Sequence, residues 1–588
     1  MIVRSVVKRS AYADSVTLMR VQQEVRRQPG VREAGLVLAT EANRALLREA
    51  GLLTPEAEAA GPDDLVISVA GDSLEAVAAA LAFAERLLTQ PRAAAGPAAY
   101  RPRTIAAARR MQPAATIAAI SVPGRFAAAV AREALQEGLH VFLFSDNVPL
   151  EEEVALKRAA ADRGRLLMGP DCGSALIGGV GLGFANSVRR GPVGIVAAAG
   201  TGLQEVSTLV HRLGSGVSHA IGTGGRDLSP PVGGATMLQG IAALAADPQT
   251  RVIVLLAKPP HPTVAARVLG AAQQTGKPVV ACFLGSRLRS RGSVSGAETL
   301  EEAALTAVRL ATGRTAELPP SLALPAQEAA RLAPGQRWLR GLYSGGTLCA
   351  EAQVVLCGYL GAVRSNAPLE PSDRVDGLAR GSGHVVLDMG ASEFTQGRLH
   401  PMIDPTLRLQ RLAQEAADPE VAVLLLDVVL GFGADRDPAR TLAPAVVEAR
   451  RRALAAGRYL CVVGALCGTE EDPQGLRAQQ EMLVEAGVLV ESSNARAARL
   501  AGRILAAVAG KGEVRALPPL DVSPPEVALP DAAPLLPLLS APPQVINVGL
   551  ELFAESLREQ RAAVVDLDWH PPAGGKKHLL DLLDKLEA

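Results

Sequence analysis

The sequence predicts a multidomain α/β protein with parallel sheets, preceded by a small α+β unit. Three observations carry this. The chain has 588 residues, whereas one hydrophobic core stops growing at about 250–300 residues. A spacing of about 150 residues per domain gives about four domains. Short apolar runs rich in Val, Ile and Leu recur, each ending at Gly or Asp and followed by an Ala/Glu/Arg-rich helical pattern. This is the alternation of parallel sheets buried on both faces. From about residue 190 the pattern repeats itself.

Composition narrows the function. Sixty basic residues meet sixty acidic ones, and aromatics are 3% of the chain. Nucleic acid and anionic membranes both call for a basic excess, and a base-stacking platform calls for aromatics, so neither partner is expected. The six cysteines include no C-x-x-C pair, and no histidine stands at zinc-ligand spacing beside them. No metal is expected, and the thiols read as small buried residues in a reducing cytosol. Residues 1–10 alternate apolar side chains with charge, unlike a signal peptide. The run Val421–Leu430 carries an acid and is far short of the ~20 residues of a membrane helix. A cytoplasmic protein is expected.

In chain order, residues 1–92 form the α+β unit: strands at Ile2–Val7, Ala34–Ala39 and Asp64–Val69, helices at Ser15–Arg26, Glu41–Glu49 and Ser73–Leu88. Gln90–Arg103 is a Pro/Ala-rich linker. The next unit, 104–189, has strands Thr116–Ser121, His140–Phe144 and Leu166–Met168 around helices Arg125–Glu137 and Leu150–Arg163. Two related domains follow, 190–313 and 336–512, joined by the Pro-rich stretch 318–334. In the first, Val193–Ala197 runs into Gly200-Thr201-Gly202; in the second, Leu339–Tyr343 runs into Gly345-Gly346-Thr347. Ala220–Asp227 then matches Val386–Glu393, Val252–Ala257 matches Val421–Val428, and Pro278–Leu284 matches Tyr459–Ala465. Four landmarks in one order, about 145–180 residues apart, indicate a duplication. Leu517–Pro543 reads as an extended linker. It leads to a C-terminal segment, 544–588, with strands Gln544–Val548 and Ala563–Leu567, a helix through Leu557, and a terminal helix after Trp569–Gly575.

The glycine loops carry the candidate chemistry. A glycine-rich turn opening a helix presents unpaired N–H groups at the positive end of the helix dipole, a ready anion site. Gly200, Thr201 and Gly202 form one such loop and Gly345, Gly346 and Thr347 the other. If their domains face each other, both would bind one phosphate or carboxylate. A β-branched residue at 346 should block anion approach and resist a positive φ. The plainer reading, that glycine only permits a tight turn, stands beside this one. Neither loop is a P-loop. Arg226, in Gly224-Gly225-Arg226-Asp227, has the fork that holds an anion through two bonds, or it forms a surface pair with Asp227. Gly397–Pro405 puts Arg398, His400 and Asp404 within seven residues: His400 as acid/base, Arg398 as anion clamp, or simply a rigid turn capped by Asp404.

The strings Val122–Phe126, Met168–Gly173, Gly194–Thr201 and Ile221–Gly225 resemble the succinyl-CoA synthetase α subunit. That resemblance implies a Rossmann-like CoA-binding-type domain and a flavodoxin-like ligase domain. The second repeat resembles the ligase domain of the β subunit. Over nearly the whole chain, Phe144–Val148, Gly224–Ser229, Tyr343–Leu348, His400–Arg408 and the tail Trp569–Gly575 resemble the FdrA family. The synthetases carry phosphate on a histidine in Gly-His-Ala-Gly-Ala; here the stretch is Ser293-Val294-Ser295-Gly296-Ala297. No ATP-grasp domain fits between the repeats, and no CoA-phosphate glycine loop stands near residues 92–118.

The FdrA resemblance implies a component of an oxamate carbamoyltransferase of allantoin breakdown, which interconverts oxalurate and phosphate with oxamate and carbamoyl phosphate. Companion subunits, and hence an oligomer or hetero-complex, are implied too. No cofactor is required; CoA enters by resemblance only. On this view Gly200–Gly202 and Gly345–Thr347 hold phosphate, Arg226 or Arg398 the substrate carboxylate, and His400 moves a proton. An ADP-forming acyl-CoA synthetase and a non-catalytic CoA- or nucleotide-sensing regulator are the alternatives.

Overall fold

Strands β1 (Ile2–Lys8), β2 (Val31–Leu38) and β3 (Leu65–Gly71) of the computed structural model form an antiparallel sheet in the order β1–β3–β2. The structure describes residues 2–9, 11, 15–61, 64–89, 100–321, 323–376, 382–395, 398–509 and 515–572. Central β3 is buried along its whole length. Leu65, Ile67 and Val69 meet Val21, Val25 and Val77 of helices Ser15–Arg26 and Leu74–Thr89. Val66 and Ala70 face Leu47 of helix Glu41–Glu49. The two-residue alternation of the strand therefore packs both faces. Thr40 caps the latter helix by accepting the Asn43 N–H, an arrangement worth about 1 kcal/mol.

The next three strands, β4 (Ile117–Ile120), β5 (His140–Leu143) and β6 (Leu167–Met168), are parallel. The unit expected to run to residue 189 ends sooner. Hairpin β7 (Ser174–Ile177) and β8 (Val180–Gly183) turns on Gly178 and Gly179, both at positive φ. It pairs antiparallel with the sheet of the first repeat, not with β6.

That sheet contains β9 (Arg190–Ala198), β10 (Val217–Gly222), β11 (Val252–Ala257), β12 (Val279–Phe283) and β13 (Val294–Gly296), in the order β13–β12–β11–β9–β10–β7–β8. The second repeat contains β14 (Trp338–Tyr343), β15 (Val385–Asp388), β16 (Val421–Val429), β17 (Cys461–Cys467) and β18 (Leu489–Glu491), in the order β15–β14–β16–β17–β18. Numbered within each repeat, both are parallel sheets of order 2-1-3-4-5, the flavodoxin-like arrangement. The two glycine loops follow equivalent strands, β9 and β14, as the duplication requires. The stretch 318–334 is more than a linker: it holds a short helix, Pro325–Ala330, whose Glu328 accepts the Tyr459 hydroxyl at 2.5 Å.

The C-terminal segment was expected as a unit after a linker. Instead β19 (Val545–Val548) and β20 (Val564–Asp566) complete the second unit's sheet, in the order β20–β19–β4–β5–β6. β4, paired with β5 on one side, takes β19 as its parallel neighbour on the other, with Ile546 beside Ala118. The tract before it is extended but packed, with Leu520, Val522 and Val527 against the core of the first repeat. The terminal helix, Ala573–Gly575 of the tail, Gly397 and most of the 90–103 linker lie outside the described residues. Among the described residues no helix is long and apolar enough to cross a membrane.

Candidate functional site

In a 2-1-3-4-5 sheet the crevice opens where the strand order reverses, beyond the carboxyl ends of strands 1 and 3. Here those ends carry Gly200–Gly202 and Lys258 in one repeat, Ser344–Thr347 and Leu430 in the other. The two crevices face each other. Helices Gly200–Arg212 and Gly346–Leu360 meet tip to tip: the Thr347 N–H donates to Thr201 Oγ1 at 3.2 Å. A Cβ added at Gly202 would stand 2.8 Å from Thr347 Cγ2, and one at Gly345 would stand 2.9 Å from Thr201 Oγ1. Neither these glycines nor Gly200 and Gly346 have positive φ. The expectation of a left-handed backbone at 346 is therefore corrected: close approach, not φ, demands glycine here.

Counting from the first helical residue pairs Thr201 with Thr347 and Glu205 with Glu351. The glutamates act reciprocally across the repeats. Glu205 Oε1 accepts the N–H of Asn494, which opens the last helix of the second repeat, at 3.0 Å. Glu351 Oε1 accepts the N–H of Leu300, which opens the last helix of the first, at 2.6 Å. Both carboxyls are buried. Burial, and then the neighbouring Glu205, pushes Glu351 up to about 8.

The two expected anion loops are not equivalent. In the second, Asp427 of β16 already fills the slot: it accepts the Ser344 N–H at 2.8 Å, the Gly345 N–H at 2.7 Å, and the Ser344 hydroxyl. Arg408 balances it at 2.8 Å and also donates to the Leu342 carbonyl. With Thr347 bonded to Thr201, Gly346 is left as the open N–H of the predicted trio. In the first loop Ala199 makes no side-chain cap, and the N–H groups of Gly200, Thr201 and Gly202 have no partner among the described residues. The expected phosphate site is thus asymmetric, and its open donors come mainly from the first repeat.

Lys258 and Asp388, which sequence reasoning missed, stand at these tips. Lys258 Nζ is 3.9 Å from Asp388 Oδ2 and 3.1 Å from where a Cβ on Gly346 would sit. Asp388 also accepts the Gly390 N–H at 3.0 Å. Burial raises its pKa, and Lys258 opposes this. Each is a polar residue closing an apolar strand, the one signal that marked it. Asp171, in the loop after β6 with φ 56°, keeps an exposed edge but is otherwise crowded. That crowding, then the Asp146 carboxylate, pushes it up to about 6, against Lys258 and Arg226.

His400 reaches the same place. Its Nε2 lies 2.7 Å from where a Cβ on Gly390 would sit, and its ring tilts against Phe184 at 5.2 Å. Burial pushes it down to about 4, and its Nδ1 accepts the Met402 N–H at 3.3 Å. The ring is therefore neutral with its proton on Nε2. Near neutral pH the ring therefore carries no positive charge, and its Nε2 is a hydrogen-bond donor. Arg226 does not pair with Asp227, which binds Lys157 at 2.6 Å. Arg226 Nη2 bonds the Val148 carbonyl at 2.7 Å and lies 2.9 Å from buried Glu153, tying the second unit to the first repeat. Its other nitrogens have no partner among the described residues. Arg398 stays in the loop ahead of His400, its N–H on the Thr395 carbonyl. Asp404 accepts the Thr406 N–H at 3.0 Å, the rigid turn that was the plainer reading.

Helix Gly124–Gln136 of the second unit opens close against the loop after β5: a Cβ at Gly124 would stand 2.1 Å from the Asp146 carbonyl oxygen.

Family models describe three parts of the chain: "CoA-ligase" matches residues 342–504, "CoA binding domain" matches 188–285, and "AllF, heavy metal-associated domain" matches 1–102. The CoA-binding match falls on the first repeat, not on residues 104–189. Residues 1–102 contain neither cysteine nor histidine, so they offer no thiolate or imidazole ligand to a heavy metal. The uncharacterized protein YahF of Escherichia coli K12 is 44% identical over 506 residues, 85% of this chain and 98% of its own. Subunit alpha 1 of an ADP-forming succinate–CoA ligase from Archaeoglobus fulgidus is 29% identical over 34% of this chain and 70% of its own. Among solved structures, acetyl-coenzyme A synthetase 1 of Ca. Korarchaeum cryptofilum covers 67% of this chain and 82% of its own, at 17% identity and a TM-score of 0.23.

Proposed function

We infer that this chain, which belongs to the YahF family and is built on a succinyl-CoA synthetase-like scaffold, is the carbamoyl-transferring component of an FdrA-type oxamate carbamoyltransferase. The observation that carries this reading is the cluster at the helix tips. Three open N–H groups, at Gly200, Thr201 and Gly202, meet the opposing helix tip, where Lys258 stands beside Gly346, with no nucleophilic histidine at residues 293–297. Such a site binds phosphate as a reactant without carrying it covalently.

Phosphate held there attacks the carbamoyl carbon of oxalurate through one oxygen. The carbon–nitrogen bond to the oxamate nitrogen breaks, and the proton that hydrogen phosphate gives up goes to that nitrogen. The products are oxamate and carbamoyl phosphate, and charge balances. Neutral His400 donates from Nε2 to the oxygen that becomes negative in the tetrahedral intermediate. Arg226, close enough to Asp171 to act on its charge, takes the substrate carboxylate with its free edge. Companion subunits complete the enzyme.

The test is phosphorolysis of oxalurate by the purified chain, with and without its companion subunits, read as carbamoyl phosphate formed. Lys258→Met should weaken phosphate binding at least about tenfold, about 1.4 kcal/mol. Wild-type affinity for phosphate in that variant would remove the site. A second reading, an acyl-CoA ligase, is favoured by the two CoA family matches and opposed by the missing imidazole at residues 293–297. CoA-dependent ADP formation from ATP with no carbamoyl phosphate would decide for it.

A further inference from the structure

A second concave site lies away from the helix tips, between the loop after β12, helix Pro262–Gln273 and the packed tract before β19. The cavity is about 320 Å³, within the range of small-molecule sites. Its frame is fixed by backbone. The Arg287 N–H donates to the Pro518 carbonyl at 2.9 Å, and the Leu520 N–H donates to the Arg287 carbonyl at 3.0 Å. Gly270 lets the tract close over the helix, since a Cβ there would stand 2.1 Å from the Pro525 carbonyl oxygen.

Arg287, Arg289 and Arg291 all line this cavity. None of their guanidinium groups has a hydrogen-bond or ion-pair partner among the described residues. Asp521 is the one carboxylate in the lining, which leaves two positive charges in excess. Leu269, Val294 and Leu520 give the cavity an apolar lining beside the arginines, with the Gln273 amide among them. Three forks able to grip phosphate oxygens in pairs, set beside an apolar lining with one amide, match an anion with a flat, uncharged body. We propose that this cavity binds a nucleoside diphosphate, its phosphates on Arg287, Arg289 and Arg291 and its base against the Leu269–Leu520 wall. Because Leu520 belongs to the tract joining the second repeat to β19 and Leu269 to the first repeat, the bound nucleotide holds the tract against the first repeat.

The test is calorimetric titration of the full chain with ADP and, separately, with pyrophosphate. ADP should bind, more tightly than pyrophosphate, and its affinity should fall as salt screens the arginines. The variant with Arg287→Gln, Arg289→Gln and Arg291→Gln should weaken ADP more than tenfold while keeping the wild-type melting temperature. Arg289→Gln alone should fall between the two. Lys258→Met should leave ADP binding unchanged, which separates this cavity from the site at the helix tips. No ADP binding, wild-type affinity in the triple variant, or loss confined to Lys258→Met would each overturn the proposal. Equal affinity for pyrophosphate would overturn the assignment to a nucleotide.

Discussion

Removing the carboxylate of Asp427 tests the asymmetry of the two glycine loops most directly. In Asp427→Ala, the Ser344 and Gly345 N–H groups lose their acceptor and Arg408, itself buried, loses its counter-charge. Taking one partner from a buried ion pair costs about 3–5 kcal/mol. For a domain the size of 336–512, each kcal/mol shifts melting by about 2–4 °C. The transition of the second repeat should therefore fall by about 6–20 °C. Asp427→Asn retains an acceptor without the charge and should lie between. Scanning calorimetry of the full chain, with hydrogen exchange of the peptide spanning Ser344–Thr347, reads both the loss and its place. Melting within about 2 °C of wild type, with the Ser344 and Gly345 amides still protected, would refute the claim that Asp427 fills this slot.

Three other outcomes are expected. The folded chain holds a proton on Glu351 up to about pH 8, whereas the unfolded chain releases it near 4.5. Stability from this group is therefore present below the unfolded value and falls as pH rises through that window, by up to about 1.4 kcal/mol per pH unit. Relative to Glu351→Gln, the wild type should show that slope, and parallel stability–pH curves would contradict it. With His400 at about 4, turnover should carry no ionisation from this ring between pH 5 and 8. His400→Gln, which keeps an N–H donor, should lose far less activity than His400→Phe, which should fall about 10²–10³-fold. A rate limb near pH 6.5 that vanishes in His400→Gln would support the acid/base role instead. Finally, the protein should take no acid-labile, base-stable label from γ-phosphate-labelled ATP, since residues 293–297 hold no imidazole.

What sequence by itself determined is whatever depends on local chain chemistry and period. Apolar runs ended by glycine marked the strands: Val252–Ala257 runs as read, and β9 and β14 begin within three residues of expectation. The duplication was legible because four landmarks recur in one order, and the matching sheet orders follow from it. The glycine loops were legible too, since a helix opened by glycine exposes N–H groups wherever it occurs. Only tertiary structure decided which of those groups stay open. Asp427 sits in the middle of an apolar run, and nothing local says that its carboxylate reaches back to Ser344 and Gly345, about 80 residues earlier. The same holds for Arg226, drawn to Glu153 instead of its neighbour Asp227, and for His400, made neutral by protein packed around it. It holds for β19, which pairs with β4 across more than four hundred residues. Strand partners, buried charges and shifted protons are set by what lies nearby in space. Desolvation makes an unpaired buried group so costly that the fold must bring it a partner, and that partner can come from any distance along the chain.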